Sequence, residues 1–340
     1  MNKERLKIIL AQNGTYVALV ALVAFFTAMN PRFLSPGNIG TIVQQSVELG
    51  VVALPMALLI MSGSINFSVG SAASLAAVAS GLTMQGSGSF WLGALVGLAT
   101  GAFTGVVNGA LVSYLGLNPF VVTLGFLSVW AGLALLLTNG RSIGGPELPT
   151  EFATLAKLGI GPVSLPVLAF LVMIVGSWWL LNRTAFGRQV LAVGGNRRAA
   201  ELMGVPWRRV QFLLFVAGGV AAGLAGQLLA MKVQTASPIV GVGLEIDALT
   251  VCLLGGVAIA GGYGRISGVI AGLLLFRVLR NGLAFLQAPP YLQTVLIGLT
   301  LVLAVAFDST VQRVVKSSFG KLGRKAVASA VAEQSAGGRS

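Results

Sequence analysis

Histidine is absent from this chain of 340 residues, and cysteine occurs once, as Cys252. Catalytic dyads and triads that use His, zinc sites built from His and Cys, and disulfide frameworks therefore cannot be assembled from this chain alone. The sequence also lacks the G-x-x-x-x-G-K-[ST] loop that cradles nucleotide phosphates, so ATP-driven work by that route requires a partner. These absences exclude most enzyme chemistry within one chain.

Charged residues are scarce: they make up 9% of the chain, whereas hydrophobic residues make up 56%. A soluble domain carries about 25% charged residues, so this sequence has too little polar surface to cover a water-soluble globule. In a soluble protein the net charge of +13 would indicate nucleic-acid binding. Here the basic residues lie between long apolar runs, which is typical of a membrane protein, and we expect lipid but no nucleic acid as a partner.

Ten apolar runs are long enough to cross a hydrocarbon layer of ~30 Å, which takes about 20 residues. The sequence therefore predicts an all-α, polytopic membrane helix bundle of about ten transmembrane helices. Basic residues precede the first run, as in a signal peptide, but no A-x-A cleavage site follows it, which favours a span. The runs lie near residues 13–30, 44–62, 67–85, 90–115, 119–138, 163–182, 211–231, 244–262, 266–287 and 290–307.

Ten spans place both termini on one side of the membrane, and the basic residues indicate which side. Sixteen of the 22 Lys and Arg residues fall in segments on the side of the termini. Because cytoplasmic loops are enriched in Lys and Arg, we expect both termini in the cytoplasm. The predicted parts are an N-terminal segment (1–12), a transmembrane domain (13–310) and a cytoplasmic tail (311–340), whose Ser, Gly, Ala and Lys content predicts disorder.

Glycine recurs every four residues within two of the runs. This spacing places a smooth stripe on one helix face, on which another helix can pack backbone to backbone. The stripe indicates either close sliding contact between moving helices or ordinary tight packing in a bundle. The glycines concerned are Gly93, Gly97, Gly101, Gly105 and Gly109, and then Gly264, Gly268 and Gly272.

A short string recurs between the two halves of the chain. Val107-Asn108-Gly109 lies late in the fourth run, and Arg280-Asn281-Gly282 lies late in the ninth. Two halves of five spans each would have opposite orientation in the membrane, an arrangement with which many transporters build a pathway at the repeat interface. The echo either reflects a five-plus-five inverted repeat or is a coincidence of two dipeptides.

The longest basic segment between runs extends from Asn182 to about Val210. Its residues 197–203 (R-R-A-A-E-L-M) favour a short helix, which begins after Gly194-Gly195-Asn196 and ends at Gly204. A chain reversal needs only a few residues, so the extra length indicates a docking element that enters a groove on a partner. The alternative is a charged loop that serves topology alone.

This segment also carries a resemblance to a known family. The string G-R-Q-V-L-A-V-G-G-N over 187–196, followed by Ala199-Ala200 and Gly204-Val205, closely resembles the cytoplasmic coupling loop of the ribose/xylose-type permeases. These are the membrane subunits of ATP-binding cassette sugar importers. The core A-A-x-x-x-G of the wider importer motif is matched too, with Arg198 where a Glu is usual.

Three further strings, in the same order along the chain, extend the resemblance. Residues 65–71 (I-N-F-S-V-G-S) are similar to the family's I-D-L-S-V-G-S, residues 118–125 (N-P-F-V-V-T-L-G) to its P-F-I-V-T-L-G, and residues 243–248 (G-L-E-I-D-A) to its G-x-E-L-D-A. Asn66 replaces the acidic residue of the first string, which puts an ion-pairing role there in doubt. An Asn side chain still donates and accepts hydrogen bonds.

The resemblance implies the permease subunit of an ATP-binding cassette importer, which forms the translocation pathway for a sugar or sugar-like solute across the bacterial inner membrane. It implies two permease subunits, identical or different, two cytoplasmic ATPase subunits and a periplasmic sugar-binding protein. The chain itself is then neither an enzyme nor a holder of cofactor or metal. Coupling to the ATPase, within the loop 183–210, is expected at Gly195, Asn196, Arg197, Arg198, Ala199, Ala200, Glu201, Met203 and Gly204.

Polar side chains within the apolar runs are candidates for the pathway, because a charge near the centre of a span costs about 2.5–3.5 kcal/mol and calls for a function. Arg277 and Arg280 either line the pathway, pair with a carboxylate or snorkel to the membrane surface. The neutral candidates either hydrogen-bond a passing sugar or satisfy contacts between helices. The pathway candidates are Asn66, Ser68, Asn108, Thr123, Gln227, Arg277 and Asn281.

An ion-coupled secondary transporter of small polar solutes is the alternative function. It requires ionisable residues near mid-membrane to carry the coupling ion. The acidic candidates Glu48, Glu245, Asp247 and Asp308 all lie toward the ends of predicted runs, and the first three are expected to contact solvent or a periplasmic partner. An intramembrane enzyme is disfavoured by the missing His and by the lack of paired carboxylates deep in a run.

Overall fold

The chain is described by a computed structural model, which covers residues 3–160, 163–289, 291–300 and 302. The predicted tail, 311–340, lies outside the described residues. The helices are α1 (Lys3–Met29), α2 (Pro36–Met61), α3 (Val69–Ser87), α4 (Phe90–Ser113), α5 (Pro119–Thr138), α6 (Thr150–Lys157), α7 (Leu165–Arg183), α8 (Ala185–Gly195), α9 (Arg197–Leu202), α10 (Trp207–Val233), α11 (Leu244–Leu254), α12 (Ile266–Phe285) and α13 (Tyr291–Thr300).

Strands are short in the described part of the chain. β1 (Ile143–Gly144) pairs antiparallel with β4 (Thr235–Ala236), and β2 (Gly159–Ile160) pairs antiparallel with β3 (Val163–Ser164). The predicted all-α class is therefore confirmed. Local sequence explains where several helices begin: Ser35 caps α2, and Asn118 caps α5, each followed at once by a proline, which suits the first helical position.

Six helices are long and apolar enough to cross a membrane in the described part of the chain: α2, α4, α5, α7, α10 and α12. Each coincides with a predicted run. The third run also forms a helix, α3, but its 19 residues are rich in Ala, Ser and Gly, which lowers its hydropathy. A count of about ten transmembrane helices and an inverted repeat stay predictions.

The eighth predicted run, 244–262, is not one helix. The helix α11 stops at Leu254, and the next helix, α12, begins at Ile266. Gly256, Gly261 and Gly262 have φ angles of +73°, +82° and +76°, which lie in the left-handed region that glycine tolerates and a right-handed helix cannot use. Hydropathy carries no signal for such a backbone, which is why the apolar run conceals the break.

The helix α2 forms the centre of the bundle. Every residue from Ser46 to Met61 is buried, and α2 packs against α7, α10, α11 and α12. Because α2 begins at Pro36, eight residues before the predicted run, Glu48 lies at the middle of this helix and is buried. The expectation that Glu48 is a boundary residue in contact with solvent is therefore wrong.

The glycine stripe of α4 packs directly on the backbone of α10. A Cβ atom built on Gly101 would lie 2.7 Å from the Cα atom of Gly223, and one built on Gly219 would lie 2.7 Å from the Cα atom of Gly105. Real Cβ atoms do not approach other atoms so closely, so glycine is required on both helices. The predicted backbone-to-backbone packing of this stripe is confirmed.

Two helices begin inside the bundle rather than at its ends. Residues 62–68 leave α2 without helical structure before α3 begins at Val69, and a non-helical segment likewise follows β4 before α11 begins at Leu244. The starts of α3 and α11 meet: the Gly241 N–H donates to the Ser74 Oγ at 2.9 Å, and a Cβ on Gly70 would contact the Glu245 carboxylate. Both helix N-termini therefore converge around one carboxylate, which their positive dipole ends stabilise.

Candidate functional site

The segment 184–206 links α7 to α10 at one end of the bundle, and we call it the coupling segment. The Thr184 Oγ1 accepts a hydrogen bond from the Gly187 N–H at 3.1 Å and starts α8. The Asn196 Oδ1 accepts one from the Ala199 N–H at 3.0 Å and starts α9, and Gly204, with φ +78°, ends the segment's helical part. The predicted short helix is confirmed.

The preceding helix α8 was missed by the sequence analysis, which treated residues 183–196 as loop. Its signal was present: Phe186, Val190 and Val193 recur at helical spacing, and the last two are buried against the bundle. Thr184 at the cap position marks its start. The coupling segment therefore consists of two helices rather than one.

A small core fixes α9 to α10. Ala200 is buried and packs with Val193 and Trp207. The Arg197 guanidinium lies over the Trp207 ring, 3.2 Å from its centroid, which is a cation–π contact. Burial lowers the pKa of Arg197, while the nearby Glu201 opposes that effect. Arg197 and Arg198 are both exposed, and the ring contact makes Arg197 a structural anchor of α9.

The tip of α9 presents two large apolar side chains to the outside. Leu202 is 78% exposed and Met203 is 84% exposed. They stand beside the exposed Arg198 and Glu201, so the tip combines an apolar pair with charges of both signs. The exposed apolar pair fits the docking element that the sequence predicts here. Leu202 and Trp207 were not among the predicted coupling residues.

The coupling segment touches the bundle through glycine backbones. Gly194 lies against the Met61 carbonyl at the end of α2, and a Cβ on Gly194 would lie 2.6 Å from the Gly262 nitrogen. The Gly262 N–H in turn donates to the Met61 oxygen at 2.8 Å. The end of α8, the end of α2 and the turn before α12 therefore form one close contact.

A cavity of about 270 Å³ opens beside this contact, between the coupling segment and the bundle. Polar groups line much of it: the Gln211 Nε2 donates to the Ser64 Oγ at 3.0 Å and to the Ser62 carbonyl at 3.4 Å. Its size is near the lower end of the range for small-molecule sites. The lining comprises Ser62, Gly63, Ser64, Val112, Leu117, Pro119, Val193, Gly194, Gly195, Asn196, Arg197, Gln211 and Ala260.

Three of the predicted pathway residues form one buried network. The Asn66 Oδ1 accepts from the Ser68 N–H at 3.0 Å and from the Ser68 hydroxyl at 2.9 Å, and the Asn108 Nδ2 donates to the Ser68 Oγ at 2.7 Å. The Asn108 Oδ1 is buried and has no partner in the described part of the chain. Asn108 lies on α4, one helical turn from Val112, which lines the cavity.

The other neutral candidates lie elsewhere and make contacts of their own. The Thr123 Oγ1 donates to the Pro119 carbonyl at 2.8 Å within α5, and the Gln227 Nε2 donates to the Ala94 carbonyl at 3.1 Å on α4. Asn281 exchanges two hydrogen bonds of 3.0 Å with Asn38, which joins α12 to α2. Thr123, Gln227 and Asn281 are thus not part of the network around Asn108.

A charged cluster lies toward the opposite end of the bundle from the coupling segment. The Lys232 Nζ is 3.0 Å from the Glu48 Oε1, and the Arg280 Nη1 is 2.9 Å from the Asp247 Oδ2. Arg280 therefore pairs with a carboxylate, one of the three alternatives considered. The Arg277 Nε is buried and has no hydrogen-bond partner among the described residues.

Metal and thiol chemistry have little support in the described residues. No group of three or more His, Cys, Asp or Glu side chains there is placed to hold a metal ion. Cys252 is buried, and its thiol lies 3.4 Å from the Ala53 carbonyl between α11 and α2. This thiol therefore packs in the core of the bundle.

A bundle of apolar helices with buried polar groups, an end cavity and an exposed two-helix segment defines a multi-pass membrane transport protein. Residues 38–305 match the family described as branched-chain amino acid transport system / permease component. The chain belongs to this family, as a permease subunit of an ATP-binding cassette importer of the ribose/xylose type. It is not an enzyme, and in these systems the ATPase is a separate subunit.

Similar proteins include permeases from several bacteria. The L-arabinose ABC transporter permease protein of Azospirillum brasilense is 33% identical over 297 residues, which cover 87% of each chain. The ribose import permease protein of Bacillus subtilis is 33% identical over 300 residues, 87% of this chain and 92% of that one. The autoinducer 2 import system permease protein of Klebsiella pneumoniae is 35% identical over 300 residues, 86% and 90% of the two chains. No solved structure matches the chain.

Proposed function

We propose that this chain forms the pathway by which a monosaccharide or sugar-like solute crosses the bacterial inner membrane, driven by ATP hydrolysis in a partner subunit. The observation that carries the proposal is the coupling segment, which joins an exposed docking tip at Leu202 and Met203 to a polar cavity through Gly194. The names of the similar permeases support a sugar or a sugar-like signal as the solute. Which solute it is depends mainly on a separate binding protein.

The proposed assembly contains two permease subunits, two cytoplasmic ATPase subunits and a periplasmic sugar-binding protein. The end of the bundle that carries the coupling segment then faces the cytoplasm, together with both termini. The distribution of Lys and Arg along the chain supports this orientation. The transmembrane permease domain is 13–310, with the loop 183–210 as the ATPase contact.

About ten membrane crossings are proposed, with α1, α3, α11 and α13 adding to the six long apolar helices. A five-plus-five inverted repeat would relate α2, α3 and α4 to α10, α11 and α12. Three packing relations support it. α3 packs on α4, as α11 packs on α12. α10 packs on both α3 and α4, and its counterpart α2 packs on both α11 and α12. In each half, the middle helix begins inside the bundle, as in transporters whose broken helices flank the solute path.

ATP-driven closure of the ATPase pair would move α9, and Gly194 would pass that movement to Met61 at the end of α2 and to Gly262 before α12. Residues 62–68 follow directly, so the network of Asn66, Ser68 and Asn108 would shift with them. The cavity beside Gln211 would open or close in step. The states before and after ATPase closure bind the solute with different affinity, and this difference sets the direction of transport.

The experiment is uptake into liposomes that contain this chain and its ATPase, with the sugar-binding protein outside. We expect accumulation of one or more of D-ribose, L-arabinose, D-allose, D-galactose and autoinducer 2 when ATP is inside, and no loss when ionophores collapse the ion gradients. Accumulation that persists without ATP but stops with an ionophore would establish the ion-coupled transporter instead.

A further inference from the structure

The cavity between the coupling segment and the bundle has a buried polar interior and an open mouth. Gln211, Ser62 and Ser64 line it and are buried. Asn196 and Arg197, which belong to the coupling segment, also line it and are exposed. Its volume of about 270 Å³ lies just below the range of about 300–1,000 Å³ for drug-sized ligands. The cavity therefore suits a smaller molecule, which would enter from the side of the coupling segment.

Hydrogen-bonding capacity remains in the interior of the cavity. The Gln211 Nε2 donates to the Ser64 Oγ and to the Ser62 carbonyl, which uses both of its hydrogens. Among the described residues, the Gln211 Oε1 accepts no hydrogen bond and the Ser64 hydroxyl donates none. The buried atoms without a partner do not include the Gln211 Oε1, so this oxygen keeps accessible surface. One acceptor and one donor are thus available on two side chains that are bonded to each other.

The charge of the lining favours a neutral ligand. Among the described residues that line the cavity, only Arg197 carries a charge, and its guanidinium lies on the Trp207 ring. A cation would find no carboxylate there, and an anion would find a single cationic group that already contacts a ring. An apolar molecule would leave the polar atoms of Gln211 and Ser64 without partners. A hydroxyl both donates and accepts, so neighbouring hydroxyls of one small molecule satisfy both side chains.

We propose that this cavity binds the imported sugar from the cytoplasmic side and that its occupancy slows further import, an inference that rests on the proposed function. The lining spans the contact between Gly194 and Met61, because Gly194 itself lines the cavity and so does Ser62, the residue after Met61. The proposed cycle changes this contact. Sugar held across it favours one arrangement over the other. Because the cycle passes through both arrangements, it then turns over more slowly.

The test loads the inside of the liposomes with sugar before uptake begins. The full importer receives ATP inside and saturating binding protein with labelled sugar outside, and the sugar is the best transported of D-ribose, L-arabinose, D-allose and D-galactose. The same sugar, unlabelled, is raised inside, with potassium chloride holding the osmolarity constant. We expect the initial uptake rate and ATP hydrolysis to fall together by about fivefold once the internal sugar reaches about four times its Kd. Passive back-flux alone would leave ATP hydrolysis unchanged and would contradict the proposal.

Two variants of the lining assign the inhibition to the cavity. Gln211→Met and Ser64→Ala each remove a polar group, and each should raise the internal sugar needed for half-inhibition about tenfold, the scale of a lost hydrogen bond. The uptake rate of each variant into empty liposomes is its own reference. Gln227→Met is the matched control, because it lies ~24 Å further along α10, at about 1.5 Å per residue, and should keep the wild-type half-inhibition. If Gln211→Met fails to insert, Ser64→Ala decides the outcome.

The proposed site and the proposed function fail differently. An importer that accumulates sugar but ignores internal sugar, or whose Gln211 and Ser64 variants keep the wild-type half-inhibition, would overturn the site and leave the function intact. Variants that change only the rate into empty liposomes would show a structural role for these side chains. Inhibition by the phosphate ester of the sugar, but not by the free sugar, would overturn the neutral ligand. A wild-type complex that accumulates none of the four sugars under ATP would overturn the site together with sugar transport.

Discussion

Gly194 lies against the carbonyl of Met61 so closely that no side chain fits between them. This is the point at which the coupling segment meets the centre of the bundle, because α2 ends at Met61 and is buried along most of its length. The proposed movement of α9 would therefore reach the core through backbone atoms, which cannot rotate away as a side chain would.

Gly194→Ala should destabilise the protein, because the new Cβ would overlap the Met61 carbonyl and approach the Gly262 nitrogen. We expect a loss of about 1–3 kcal/mol, the usual cost of overpacking, seen as a lower melting temperature in detergent. Gly195→Ala is the matched control, since its Cβ would lie 3.9 Å from the Gly262 Cα. Equal melting temperatures for the two variants would contradict the contact.

The exposed tip of α9 should determine binding of the ATPase. Replacing both Leu202 and Met203 by Asp removes an apolar pair that interfaces bury, and we expect at least about tenfold less ATPase to copurify. The control replaces Ile239 and Val242, which are 62% and 73% exposed in the segment between β4 and α11, by Asp. Undiminished ATPase binding by the Leu202 and Met203 variant would show that the docking surface lies elsewhere.

Gly101→Ala should separate α4 from α10. In most helix interiors, replacing Gly by Ala stabilises by roughly 0.5–1 kcal/mol, and Gly132→Ala in α5, with nothing within 4 Å of its Cβ, should follow that rule. Gly101→Ala should have the opposite sign, since its Cβ would meet backbone atoms of Gly219 and Gly223. Thermal unfolding of the two variants measures the difference, and shifts of the same sign would rule out the close packing.

Asn66→Asp should be tolerated, whereas Asn66→Ala should not. The side chain of Asn66 acts through an oxygen that accepts two hydrogen bonds from Ser68, and a carboxylate oxygen accepts the same two. We expect ATP-dependent uptake within about threefold of wild type for Asp, and about tenfold lower for Ala, the scale of a lost buried hydrogen-bond partner. A severe loss with Asp would instead show that the amide group itself is needed.

Local signals in the sequence were sufficient for part of this structure. Asn196 and Gly204 bracket α9 because a cap and a left-handed glycine act within a few residues, and the four-residue glycine spacing of α4 is visible in the chain itself. The resemblance of four short strings was enough to identify the family. The apolar spacing of α8 was equally visible and was overlooked.

Contacts between segments that are distant in the sequence could not be predicted from it. Nothing in the sequence near Glu48 indicates its ion pair with Lys232, and nothing near Asn281 indicates its hydrogen bonds with Asn38. Each pair forms only when α2 packs on helices from the second half of the chain. The break after Leu254 was hidden for another reason, since hydropathy measures side chains and the break is made by the backbone of glycines.

The meeting of the α3 and α11 N-termini has a consequence for the charge of the solutes that the proposed pathway favours. Two positive dipole ends meet there beside the carboxylate of Glu245, while Asp247, in the same turn of α11, is paired with Arg280. A metal ion or a phosphate passing that level would upset the balance from one direction or the other. An uncharged, hydroxyl-rich molecule would leave it undisturbed, so a pathway that passes this level, as proposed, would favour neutral solutes through backbone charge alone.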